Sequence, residues 1–145
     1  MRILIFFFLA FCISSETPGF SDITGDWINS DNDAHIRIFN SNGKYFGNVI
    51  WMKNPIDSIT GKPQLDKLNK DPLLQKRPVM NLIVLKNLEY DEALKEWKGG
   101  TIYNPKSGSS YDVFCKMSEK NILEMHFYMT FRSFGKVFLW KRIVK

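Results

Sequence analysis

The sequence predicts a mainly β fold, an antiparallel barrel of about eight strands closed so that no edge is left unpaired. Two patterns lead there. Apolar and polar residues alternate with a period of two in short segments, and turn signals recur about every ten residues, the pattern of a sandwich or barrel. A chain of 145 residues has room for one domain and too little for two.

The N-terminus is set apart from that pattern. Arg2 precedes an apolar run from Ile3 to Ile13, followed by Ser14 and Ser15. A charged start, a short apolar core and a small-residue exit are the marks of a secretory signal. The run falls short of the roughly 20 apolar residues that span a bilayer. No turn or amphipathic pattern joins it to the next segment, as a buried first strand or helix would require. Residues 1–21 are therefore expected to be a signal peptide, cleaved after Ser15 or after Ser21, and 22–145 a single β domain. A lipoprotein would carry its lipid on Cys12, but Phe11 is too large for the position before it. Once the signal is removed, Cys115 is the only thiol. An internal disulfide is then impossible, and Cys115, between Phe114 and Lys116 in a strand-like stretch, reads as a buried structural residue.

In the domain, Thr24-Gly25-Asp26-Trp27-Ile28 opens the first strand. Ala34, Ile36 and Ile38 alternate with His35, Arg37 and Phe39 in the next, and Asn40-Ser41-Asn42-Gly43 makes a turn in which Gly43 can take positive φ. Lys44 to Lys53 is the third strand, with Tyr45, Gly47, Val49 and Trp51 on one face and Phe46, Asn48, Ile50 and Met52 on the other. From Asn54 to Pro78 the chain becomes a long polar loop punctuated by Pro55, Pro63, Pro72 and Pro78. Loops of this length are usually functional or disordered. Within it, Asp71 to Lys76 reads as a short helix, capped by Asp71 with Pro72 in its first position. Val79 to Leu85 returns to strand, and Leu88 to Lys95 reads as a polar connection with a possible helical turn at Glu92 to Lys95. Trp97 to Tyr103 is a strand with a bulge or close backbone approach at Gly99-Gly100. After a turn at Asn104 to Gly108, Ser109 to Met117 and Ile122 to Phe131 form a hairpin. Arg132-Ser133-Phe134-Gly135 turns the chain into a last strand, Val137 to Ile143.

Three stretches carry a resemblance. They are Gly25-Asp26-Trp27; Trp97-Lys98-Gly99-Gly100-Thr101-Ile102-Tyr103-Asn104-Pro105 with Ser107, Gly108 and Tyr111; and Gly135-Lys136-Val137 with Trp140-Lys141-Arg142. Between them lie Gly43-Lys44-Tyr45, Gly47, Ile50-Trp51 and the Gly61-Lys62-Pro63 to Asp71-Pro72 loop. Their order and spacing resemble a bacterial family of exported proteins, domain-of-unknown-function family 2147, over essentially all of the chain after the signal. The resemblance implies a lipocalin-like (calycin-type) barrel and no established activity. It also implies that Trp27, from the first strand, packs beneath Arg142 near the end of the chain. A guanidinium over an indole face gains about 0.5 to 2 kcal/mol. Some relatives carry Cys in the third strand or the last hairpin. Here those places hold Phe46 and Phe127-Tyr128-Met129, so no disulfide or thiol role carries over.

The chain holds four Trp, five Tyr and twelve Phe. In a barrel of about eight strands such side chains either fill the interior or surround one small ligand. A ligand would place Trp51, Trp97, Tyr103, Tyr111 and Tyr128 around a cavity mouth, where amphipathic rings suit an amphipathic molecule. Other chemistry is weakly signalled. His35 and His126, with Asp33 or Glu124, have no metal-motif spacing. Asp57, Asp66 and Asp71 read as turn and cap residues more readily than as an acid–base pair. Ser107, Ser109 and Ser110 lack a nucleophile elbow, and Gly99-Gly100 lacks the following helix of a phosphate loop. The net charge of +5 is scattered, and export argues against nucleic acid as a partner. Such a surface suits a mild attraction to anionic lipid head groups or envelope glycans.

The expectation is an exported, non-catalytic domain, without cofactor, metal or a transmembrane span in the mature chain, that binds a small apolar or lipid-like molecule in the periplasm or cell envelope. The alternative is a filled barrel that docks an envelope protein partner through the 54–78 loop. A third reading is an enzyme, which would need convergent polar groups, for example around Asp57 and His126.

Overall fold

The computed structural model describes residues 22–145; the expected signal over residues 1–21 lies outside the described residues. Eight strands come in order: β1 (Gly25–Ile28), β2 (Ala34–Ser41), β3 (Lys44–Met52), β4 (Ile83–Asp91), β5 (Glu96–Asn104), β6 (Ser109–Glu119), β7 (Ile122–Tyr128) and β8 (Lys136–Arg142). Each pairs antiparallel with its neighbour, and β1 pairs with β8 through Trp27↔Arg142 and Ile28↔Lys141, which closes the barrel. All eight strands and the closing pair lie among the described residues. Among the described residues no helix is long and apolar enough to cross a membrane.

The meander makes the two ends of the barrel unlike. Short turns at residues 42–43, 92–95 and 120–121 join strands at one end, and loops at 29–33, 53–82, 105–108 and 129–135 gather at the other. The end with short turns is filled by Ile23, Trp27, Ile38, Leu88, Trp97 and Leu123, all sealed from solvent. Burying each such side chain is worth about 1.5 to 3 kcal/mol. Trp27 is fixed on every side: its indole N–H donates to the Ile23 carbonyl at 2.9 Å, and the Arg142 guanidinium carbon lies 4.3 Å from its ring centroid. Arg142 in turn donates to the Thr24 carbonyl at 2.6 Å and the Asp22 carbonyl at 3.0 Å. The segment before β1 is thereby tied to the last strand, with Ile23 buried in the core.

The strand predicted over Val79 to Leu85 is displaced in the structure. β4 starts only at Ile83 and continues to Asp91, so the expected polar connection from Leu88 shrinks to a turn at 92–95. Two asparagines explain the shift. Asn81 stands at φ +66° in a turn closed by the Leu82 N–H on the Val79 carbonyl, and Asn87 at φ +62° bulges the strand. With that extra residue Leu85 and Leu88, three apart, both face the core. β5 contains the expected bulge: Gly99 takes φ +75° and the register slips between Trp97 and Gly100. A Cβ on Gly100 would meet the Lys86 carbonyl oxygen at 2.7 Å. The short helix is a single 3-10 turn, Pro72–Leu74, capped by Asp71 accepting from the Leu73 N–H at 3.0 Å. The helix expected to run to Lys76 ends after Leu74, and Pro78 bridges back to Leu65.

Candidate ligand-binding cavity

The half of the barrel beneath the four loops is open. A cavity of about 1060 Å³ enters it, walled by Ile36, Val49, Val84, Ile102, Phe127 and Phe138, with Trp140 among its deeper lining. These side chains come from β2, β3, β4, β5, β7 and β8, each at an inward position of its strand's alternation. Tyr111 of β6 joins them, its ring stacked on Phe127 with centroids 6.1 Å apart.

The five aromatic residues expected around a ligand are placed differently from one another. Tyr111 lies on the inner wall. Tyr103 and Tyr128 border the opening, but the Tyr103 hydroxyl is committed to Asp66 and the Tyr128 ring leans on Phe114 of the outer face, centroids 6.2 Å apart. Trp51 and Trp97 are not part of the cavity. Trp51 faces outward because β3 carries a bulge: Ile36 pairs with Val49 but His35 with Trp51, so Ile50 is an extra residue. The slip turns Trp51 onto the outer surface, stacked on His35 at 4.4 Å, and brings Met52 to the lining. Trp97 lies deeper, in the filled end, against Tyr45 and Tyr90. Its indole N–H has no acceptor among the described residues.

The long loop is built onto the rim. Asp66 is wholly buried and accepts from Asn69 Nδ2 at 2.8 Å, from Arg77 Nε at 2.9 Å and from the Tyr103 hydroxyl. Burial, and then the Asp66 carboxylate, push the Tyr103 phenol up to about 12. Gly108, at φ +69° in the β5–β6 turn, is pressed against the loop so closely that a Cβ would sit 1.9 Å from the Leu68 oxygen. Asp57 is held by Lys67 and by the N–H groups of Thr60 and Ile59, at 3.1 and 2.9 Å, which lower its pKa to about 2. Lys106 pairs with Asp33 across the mouth. Asp33, Asp57 and Asp66 near the opening are thus bound to structural partners.

The remaining candidates for chemistry do not converge. His35 on β2 and His126 on β7 are separated by β1 and β8, and His126 stacks on Phe114 at 4.3 Å. Among the described residues no three His, Cys, Asp or Glu side chains gather to hold a metal. The Ser107 hydroxyl accepts from the Ser109 N–H at 3.3 Å, within its turn. Cys115 is sealed in the core, and burial pushes its thiol well above the ordinary range. One group at the opening escaped the sequence reading. Met129, Phe131 and Phe134 border the mouth from the β7–β8 loop and are largely exposed. Their only signal was three apolar residues in a segment otherwise read as a hairpin end and a turn.

The profile of a family described as uncharacterized protein conserved in bacteria (DUF2147) matches residues 25–142. The fold is similar to that of a solved structure described as protein HP1028 from the human pathogen Helicobacter pylori, which belongs to the lipocalin family. The TM-score is 0.72 at 26% sequence identity, covering 86% of this chain and 84% of that one. No curated protein matches.

Proposed function

Since the chain belongs to the DUF2147 family and folds as a lipocalin-like barrel, we propose that it is an exported, non-catalytic protein that holds a small apolar or amphipathic molecule in the cell envelope. The observation that carries this reading is the cavity itself. Its volume of about 1060 Å³ is at the upper end of the range that houses small-molecule ligands. Its walls are apolar, so a hydrocarbon part gains about 25 cal/mol for each Å² removed from water. Tyr111 brings a polar tip to the inner wall, and the rim bears Lys67, Lys106 and Lys136, which suits a ligand with a polar head at the opening. The non-catalytic reading is supported by the engagement of Asp33, Asp57 and Asp66 in structural contacts. Export is supported by Arg2 and the apolar run after it. The rival, a filled barrel docking a partner through residues 54–78, is disfavoured by the open interior.

A fluorescent apolar probe, N-phenylnaphthylamine, tests the cavity directly. Its emission is expected to rise on mixing with the protein. Ile102→Trp, which fills the cavity from β5, is expected to weaken probe binding about tenfold or more while the melting temperature holds. Equal binding by the variant would place the probe elsewhere and remove the support for an internal ligand.

A further inference from the structure

We propose that the loop end of the barrel is a docking face for an anionic phospholipid bilayer, with the β7–β8 loop as its apolar lip. Met129, Phe131 and Phe134 are 73%, 63% and 84% exposed. All three come from one short loop and border one opening, which Leu68 from the long loop also lines, so they are gathered at one mouth and not scattered over the surface. Phe131 and Phe134 meet edge to face at 6.2 Å.

These rings do not fold down into the apolar cavity beside them because the loop is held from outside. Arg132, between them, turns onto the outer face of the barrel. Its guanidinium carbon lies 3.6 Å from the Phe114 ring centroid, and its Nη2 donates to Glu96 at 2.6 Å. Gly135 runs so close to β7 that a Cβ there would meet the Phe127 carbonyl oxygen at 2.5 Å. The lip is therefore a fixed projection.

Charge selects the occupant. The segments at the loop end, 29–33, 53–82, 105–108 and 129–136, hold nine basic and five acidic side chains; the rest of the described chain holds ten and nine. Most of the acids at this end are engaged, by Lys67, Lys106 and Arg77. Among the described residues Lys53, Lys62, Lys70, Lys76 and Lys136 make no salt bridge, although all are exposed. A second copy of the chain would bring the same positive face against this one and be repelled. An anionic leaflet offers both the negative surface for the lysines and an apolar layer for the rings. Each lysine near such a surface raises partitioning about fivefold. Docked this way, the cavity opens onto lipid. The proposal stands on the lip and the charge alone and does not require the cavity to hold a ligand.

Co-sedimentation of the purified protein with vesicles tests it. The protein is expected to bind vesicles of equal parts phosphatidylcholine and phosphatidylglycerol, to bind phosphatidylcholine alone at least tenfold more weakly, and to be released by salt as the screening length shrinks. The double substitution Phe131→Ser and Phe134→Ser is expected to lower binding at least tenfold, and Lys136→Glu by a similar factor, with melting temperatures unchanged because all three side chains are exposed. Ile102→Trp is expected to bind vesicles normally, which separates this proposal from the ligand reading. No binding to the anionic vesicles, undiminished binding by the double variant, or a concentration-dependent dimer abolished by the same substitutions would each overturn it.

Discussion

Asp66 has no contact with solvent, and its carboxylate is met by the Tyr103 hydroxyl, the Asn69 amide and the Arg77 guanidinium. A buried carboxylate stripped of one donor carries a desolvation cost. Tyr103→Phe is expected to destabilise the fold by about 1 to 3 kcal/mol, read as a lower urea midpoint. The same pair predicts an alkaline limit. The phenol is held up to about 12 against an ordinary 10.0, so the unfolded chain loses this proton first. The stability it contributes is complete below about pH 10 and falls as the pH rises through about 12. The Tyr103→Phe variant is expected to lack that step; an identical alkaline profile in both proteins would contradict the assignment. Residues at this scale differed in how readable they were. Arg142 over Trp27 was expected from the family resemblance, and the two lie 4.3 Å apart. Asp66 read only as one carboxylate among three in a polar loop, because its partners Arg77 and Tyr103 lie 11 and 37 positions away in the chain.

The long loop is an element in its own right, ordered by side chains where strand ladders are absent. Two isolated bridges, Ile56↔Pro63 and Leu65↔Pro78, fold it on itself, and Asp57 clasps its tip. The Lys67 ammonium first, and then the Thr60 and Ile59 N–H groups, hold the Asp57 carboxyl at about 2, below its ordinary 3.8. A lowered pKa contributes stability above the ordinary value and loses it as pH falls through the folded value. The clasp is therefore complete above about pH 4 and released toward about pH 2. Pepsin, active in that window, is expected to cut within residues 54–78 increasingly as the pH is lowered, before it cuts the barrel strands. First cleavage within the strands would contradict the clasp. Strand boundaries were readable where the period of two ran unbroken, as in β2, and were lost where a bulge intervened. The extra residue at Ile50 reverses the alternation, so Trp51, read as a cavity residue, faces out. Asn87 does the same in β4 and made its second half look like a loop. A bulge depends on the partner strand and leaves only a faint trace in a single sequence.

At the scale of the molecule, the barrel is filled at one end and open at the other. The eight-stranded antiparallel order was legible because short turns leave a meander few other choices, and closing β1 on β8 removes the edges such a meander exposes. The cavity was not legible. Whether inward side chains fill a barrel or line it depends on how deep each sits, and periodicity assigns a face without assigning a depth. Trp97 sealed in the closed end and Tyr111 on the cavity wall share the same inward pattern. The filled end fixes the frame, the open end carries the exposed lip and the unpaired lysines, and the proposed ligand sits between them. Native mass spectrometry of the protein purified from its own cell envelope, beside a denatured control, tests that claim most directly. The account predicts a polypeptide mass that begins after Ser15 or Ser21, with a reproducible additional mass of a small apolar or amphipathic molecule that is lost on denaturation. A polypeptide that retains residues 1–21 would contradict export, and a bare polypeptide mass that also fails to take up an apolar probe would contradict the proposed ligand-binding function.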